Sequence, residues 1–290
     1  MNPDKPLVTT QWLEDHLGEA SLRIYDTTIF LSHKEDGFGY IPVSGSEEWE
    51  AEHIPGAGFL DVIEDLSDRT NEIPFMMPPA DQFAATMASY GVGDDSTVVL
   101  YNKGFPMWST RVWWMLRSIG FDGVAVLDGG WEKWRREERP VSGATPDYPA
   151  GSLTPRARPD MWTDKGDMLA MIDAGSPVTI NALSPAVYSG ETNQYGRPGH
   201  LPGTHNVFHG DLVDADNGEF LAPDQLRKLF EGNGALDGDR VITYCGGGIS
   251  ATMDALALML CGQTNVAVYD GSMSEWVKDE TLPLNLGKEP

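Results

Sequence analysis

Few places in this chain combine a nucleophile with a backbone able to hold charge, and the run Tyr244-Cys245-Gly246-Gly247-Gly248-Ile249-Ser250 is one. A β-branched segment, Arg240-Val-Ile-Thr-Tyr244, leads into the thiol, and helical spacing begins near Ile249-Ser250. The order strand, thiol, glycine loop, helix puts Cys245 at the carboxyl end of a strand, where it can be reached. Glycines permit positive φ and close backbone approach, so successive N–H groups can turn inward as a nest. The helix start adds partial positive charge. Such a setting favours a thiolate, the nucleophilic form of cysteine, and would equally hold a terminal persulfide anion. Cys261, in the apolar run Ala255-Leu-Ala-Leu-Met-Leu260, reads instead as a small core residue.

The elements that must position this loop come in two copies. Val124-Ala-Val-Leu-Asp128-Gly-Gly-Trp131 returns as Val266-Ala-Val-Tyr-Asp270-Gly-Ser-Met273, Val98-Val-Leu-Tyr101 as Val241-Ile-Thr-Tyr244, and His53-Ile-Pro-Gly56 as His200-Leu-Pro-Gly203. Three matches in one order at nearly one offset mean a duplicated domain, with a period far too long for a solenoid unit. The proline-rich stretch 137–158 reads as an extended linker. It divides the chain into 1–149 and 150–290. Buried strands are expected at Arg23–Asp26, Val98–Tyr101, Val124–Leu127, Val178–Ile180, Val241–Tyr244 and Val266–Tyr269. Helices are expected over Gln82–Tyr90, Trp108–Ile119, Pro223–Phe230 and Ile249–Leu260. Alternating strands and helices give an α/β fold, an open parallel sheet flanked by helices in each half. Ligands of such sheets bind outside the carboxyl ends of the strands, here near residues 102–108 and 245–250.

Composition narrows the function. No stretch approaches the roughly 20 apolar residues of a membrane helix, and Met1-Asn-Pro-Asp-Lys-Pro6 has no apolar signal core. The expectation is a soluble, cytoplasmic protein. A net charge of −24 argues against nucleic acid and anionic membrane as partners, and requires a local electropositive site for any anionic substrate. Two cysteines exclude a disulfide scaffold. The six scattered histidines offer no zinc-ligand spacing. His205 and His209 read as surface or loop residues.

The whole chain resembles the tandem-domain rhodanese family, the thiosulfate/3-mercaptopyruvate sulfurtransferases. The resemblance rests on Gly199-His-Leu-Pro-Gly203, the six-residue cysteine loop and Asp270-Gly-Ser-Met-Ser-Glu-Trp276, with His53-Ile-Pro-Gly56, Ser67-Asp-Arg-Thr70, Trp113-Trp-Met-Leu-Arg117 and Leu127-Asp-Gly-Gly-Trp131 in the first copy. It implies a catalytic second domain and an inactive first one. The repeat agrees: Asn102 stands where Cys245 stands and has no sulfur. Its loop makes the first domain a wall of the cleft, and Phe105, Met107 and Trp108 either face that cleft or pack between the domains.

The chain also departs from the family. The loop of thiosulfate-preferring members, Cys-Arg-Lys-Gly-Val-Thr, has cations where this chain has Gly246 and Gly247. The mercaptopyruvate-type loop, Cys-Gly-Ser-Gly-Val-Thr, fits at Gly246, Gly248, Ile249 and Ser250 but has serine where Gly247 stands. A Ser-His-Asp relay therefore lacks its serine. Phe75 stands near the expected histidine, and Asp61 reads better as the end of a strand than as the remaining aspartate. The family arginine is absent from Ala186-Val-Tyr-Ser-Gly190, leaving Arg197 as the nearest cation for the donor's anionic group, with Lys103 and Arg111 next.

The expected reaction is covalent catalysis. Cys245 takes a sulfur from a small anionic donor, thiosulfate or 3-mercaptopyruvate, and passes it to a thiol, cyanide or a reduced protein thiol. Gly246 to Ser250 cradle the sulfur and no cofactor is implied. Two rivals remain. A cysteine phosphatase or arsenate reductase would need a wider cradle and an arginine in the loop. A non-enzymatic sulfur-carrier or interaction module needs only the fold.

Overall fold

A computed structural model describes residues 5–34 and 38–290. Residues 1–4, on which part of the N-terminal expectation falls, lie outside it. Each half is built on a five-stranded sheet, all of its pairings parallel. The first runs Leu7–Val8, Val124–Leu127, Thr97–Tyr101, Leu22–Asp26, Ala57–Phe59. The second runs Trp162–Thr163, Val266–Tyr269, Val241–Tyr244, Val178–Asn181, His205–Asn206. The two orders are the same, so the sequence repeat is a repeat of topology. The central strands are buried on both faces, as their unbroken β-branched runs require. Every expected strand and helix is present, with ends displaced by one to two residues, as in Ala80–Ser89, Met107–Ser118 and Ala251–Leu260.

The His-X-Pro-Gly segments do the same work in both halves. His53 and His200 are fully buried. Each ring places Nδ1 against a helical carbonyl, Trp49 O at 2.6 Å and Tyr188 O at 2.8 Å, and Nε2 against the carbonyl of an extended segment, Ala144 O at 3.2 Å and Glu289 O at 3.0 Å. The Tyr101 and Tyr244 hydroxyls each accept the next backbone N–H, from Ile54 and Leu201. These histidines are structural clasps.

The extended stretch after residue 140 follows the surface of the first half as far as Arg158, whose guanidinium pairs with Asp122. The second half's own elements begin at Pro159–Met161. Helix Met107–Ser118 packs on Ala251–Leu260 across the interface, with Thr110 and Thr252 hydroxyls 2.8 Å apart. Both helices are buried on nearly every side, and one apolar cluster runs through the two halves. The interface therefore behaves as core and fixes the two loops relative to each other. Among the elements that were not expected is an antiparallel hairpin, Ile29–His33 with Tyr40–Ser44, whose connecting segment reaches the second domain through the Gly39 amide and Gln194 O. Among the described residues no helix is long and apolar enough to cross a membrane.

Candidate active site

Cys245 lies at the end of the central strand of the second sheet, 2% exposed, at the floor of a cleft of about 400 Å³ between the halves. A wide-open depression around Thr70 and Lys278 contains no cysteine. The loop is braced from behind. Ser272 Oγ accepts N–H bonds from Cys245 and Gly248, both at 3.1 Å, and donates to Tyr269 O at 2.7 Å. Ser272 holds φ of +47°, a left-handed conformation that a side chain adopts only when its surroundings enforce it. The carbonyls of Cys245 and Gly246 accept from the Met273 and Ser274 amides.

That bracing consumes two of the loop's amides. The amides of Gly246, Gly247, Ile249 and Ser250 have no protein partner among the described residues, and all four residues line the cleft with Cys245. They are the N–H groups left to meet charge on sulfur, beside the start of helix Ala251–Leu260. Gly248 is different. It is the loop glycine with positive φ, +71°, and it faces the domain interface, where a Cβ would strike Asp270 and Arg111. A Cβ on Gly247 would meet nothing nearer than Ser274 Oγ at 3.7 Å. Backbone strain therefore does not bar a side chain at 246 or 247.

Arg197 is not brought to the cleft. Its guanidinium donates to Asp279 O at 2.8 Å and Leu282 O at 2.7 Å, tying down the chain after the last helix. The two alternative cations are also committed elsewhere. Arg111 is fully buried, donating to Asp270 Oδ1 at 2.6 Å, Gly248 O at 3.1 Å and Phe75 O at 2.5 Å, so it locks the domains together behind the loop. Lys103 sits over the Trp131 ring. Among the described residues, Lys34 of the hairpin is the lysine or arginine that lines the cleft. Met107 and Trp108 line it, whereas Phe105 is half exposed and meets His209 edge-on. Phe75, in the place expected of a histidine, packs on Trp108 at the cleft wall. Asp61 caps the following turn, accepting the Ile63 and Glu64 amides.

Among the residues the sequence reading did not bring to the site are Lys34, Tyr195, His209 and Ser274, which line the cleft, and Ser272, which braces the loop from behind. His209, read there as a surface or loop residue, is desolvated, which lowers its pKa and favours the neutral ring. Nδ1 lies 2.7 Å from Ala182 O, so Nδ1–H donates and Nε2 is left as an acceptor. The repeat offered one signal, since Ser272 stands where the first copy has Gly130, directly after the shared Asp-Gly.

The rhodanese-like domain model matches residues 9–137 and 164–279. The chain is 32% identical over 280 residues to the 3-mercaptopyruvate sulfurtransferase of Escherichia coli K12, covering 96% of each protein. It is 30% identical to the thiosulfate sulfurtransferase of Gallus gallus, covering 94% of this chain and 93% of that protein. The crystal structure of SseA from Escherichia coli, described as a 3-mercaptopyruvate sulfotransferase, superposes with a TM-score of 0.81 at 32% identity, over 92% of this chain and 98% of that one. Duplicated sheets, a cysteine loop in the second half and these likenesses agree: the chain belongs to the rhodanese-like family, with two such domains in tandem.

Proposed function

We propose that this protein is a sulfurtransferase that carries sulfur on Cys245. The observation that carries the reading is a thiol at the floor of an interdomain cleft beside four unspent loop amides. In the first step the Cys245 thiolate attacks the outer sulfur of thiosulfate. The S–S bond of the donor breaks, sulfite leaves with the bonding pair, and the charge moves to the new terminal sulfur. With 3-mercaptopyruvate the C–S bond breaks, and the thiol proton finishes on the methyl carbon of pyruvate. In the second step a thiolate or cyanide takes the outer sulfur and returns the Cys245 thiolate. The amides of Gly246, Gly247, Ile249 and Ser250 hold the charge throughout, donors fixed before the reaction begins.

The cleft wall is mostly apolar, with Leu31, Phe75, Met107, Trp108, Leu183 and Phe208 around the thiol. A low-dielectric wall strengthens each N–H contact with the sulfur. Lys34 is the side-chain cation available to the donor's carboxylate or sulfonate. Acceptors reach the same sulfur from solvent, and a small thiol, cyanide or a reduced protein thiol each suffices. Two free thiols, Cys245 and Cys261, suit a reducing compartment, which supports a cytoplasmic location.

The test is a donor panel on three proteins. Wild type should transfer sulfur from thiosulfate, from 3-mercaptopyruvate or from both, with ping-pong kinetics. Cys261→Ser should match it. Cys245→Ser should keep the fold and lose turnover. A folded Cys245→Ser protein with undiminished turnover removes the proposal, and a persulfide that forms without turnover makes the protein a carrier.

A further inference from the structure

The reaction as drawn leaves the Tyr195 hydroxyl beside the loop without a task. Tyr195 belongs to the segment Asn193-Gln194-Tyr195-Gly196, held beneath the hairpin where the Gly39 amide donates to Gln194 O at 2.7 Å. Its ring packs against the core and lines the cleft. Its hydroxyl reaches the loop: a Cβ placed on Gly246, the residue after Cys245, would lie 1.9 Å from Tyr195 Oη. The polar group bonded to that oxygen among the described residues is the Gln194 side-chain amide, at 3.5 Å, and an amide N–H donates. Among the described residues the phenol proton thus has no protein acceptor. Burial, then the Cys245 charge, then Tyr40, push the phenol well above its ordinary range, so it stays protonated. A phenol that cannot ionise and has no acceptor is a donor without an anion, and the anion its position offers is sulfur.

We propose that Tyr195 is a catalytic hydrogen-bond donor to the sulfur at Cys245, and that it stands in the space a loop side chain would occupy. This rests on the reading of Cys245 as the sulfur-bearing residue. The hydroxyl supplies a neutral donor on the open side of the loop, opposite the brace of Ser272. The same contact commits position 246 to glycine, so a cationic loop and Tyr195 exclude each other. The donor specificity of this loop is therefore that of a site with amides and a phenol, without a cation at 246.

Tyr195→Phe keeps the ring and removes only the hydroxyl. The readout is the pH dependence of Cys245 alkylation by iodoacetamide, in a Cys261→Ser background so that one thiol reports. Loss of a hydrogen bond to a charged acceptor should raise the alkylation midpoint by about one pH unit, a tenfold change. The kcat for sulfur transfer should fall by a similar factor. An unchanged midpoint in the folded variant overturns the proposal. Alkylation needs no sulfur donor, so a raised midpoint in a protein that transfers no sulfur would sink the sulfurtransferase reading and leave the Tyr195 contact standing. A second measurement tests the steric half. Gly246→Ala should destabilise the wild type and be tolerated in a Tyr195→Gly background. Equal costs in both backgrounds contradict it.

Discussion

Asn102 and Cys245 occupy the same place in two copies of one fold, yet the loops that follow them satisfy their backbones differently. The Asn102 side chain closes its own loop. Its amide donates to Lys103 O at 2.8 Å and Phe105 O at 2.7 Å, and its oxygen accepts from the Ser109 amide at 3.1 Å and hydroxyl at 2.9 Å. Cysteine can do none of this. The second loop is held from outside by Ser272, which leaves its front open. The first copy has Gly130 at the position of Ser272, with φ of +54° against +47°. The left-handed backbone is thus common to both, and only the second copy carries a side chain there, at a cost of about 1–2 kcal/mol. In the first loop the Lys103 and Gly104 amides are taken as well, by Thr28 Oγ1 at 2.9 Å and Glu132 Oε1 at 2.8 Å, whereas the second loop, braced from behind, keeps amides free in front.

Removing the brace should have the largest effect on this contrast. Ser272→Ala keeps the strain and strands the Cys245 and Gly248 amides in a buried setting. Stability should fall by about 1–3 kcal/mol, read as a lower denaturant midpoint, and kcat/KM should drop by roughly tenfold as the cradle loosens. Unchanged activity in the folded variant would mean that the brace does not shape the site.

The two helices after the loops each bury one charged side chain. Arg111 in the first copy places its charge on Asp270 and two carbonyls, whereas Asp254 in the second is fully buried and neither oxygen has a side-chain partner among the described residues. Burial holds the Asp254 carboxyl well above its ordinary value of 3.8. A raised folded-state value means that folding takes up a proton. The contribution is complete below the unfolded value and is lost as pH rises towards the folded one. The slope is about 1.4 kcal/mol per pH unit for one group. Asp254→Asn removes this term, so its stability relative to wild type should be higher at pH 8 than at pH 5. Asp26 and Asp128, both held up to about 6 by burial, titrate in both proteins and cancel. Parallel stability profiles would contradict the assignment.

The smallest expected effect on activity is at Arg197. Its guanidinium serves the Asp279 and Leu282 carbonyls, so Arg197→Met should lower stability by about 1–3 kcal/mol and change kcat/KM by less than about threefold. A fall of tenfold or more would return Arg197 to the donor.

The central strands were legible because each is a short, unbroken β-branched run, and the duplication repeated the message. The hairpin was not. Leu31 and Pro42 line the cleft, yet Phe30, Leu31, Ile41 and Val43 are all exposed, so apolar residues stand on both faces and no apolar–polar alternation marks it. The edge strands, two residues each in Leu7–Val8, Trp162–Thr163 and His205–Asn206, are too short to carry a pattern. The cysteine loop was legible because a thiol before three glycines makes poor core packing. Tyr195, His209 and Ser274 are ordinary residues in separate segments, and only the topology gathers them. Arg197 shows the converse. Its closeness in sequence to His200 fixes where the backbone goes, not where a long side chain turns.

The central claim is that the second loop, and not its twin, carries sulfur. Peptide mass spectrometry after donor treatment tests it on wild type, Cys245→Ser, and Cys245→Ser combined with Asn102→Cys. The account predicts one added sulfur on the Cys245 peptide of wild type and none on either variant, because a thiol in the first loop gains neither the Ser272 brace nor the open amides. Added sulfur on Cys261, or on the cysteine introduced at position 102 at a level matching wild type, would contradict it.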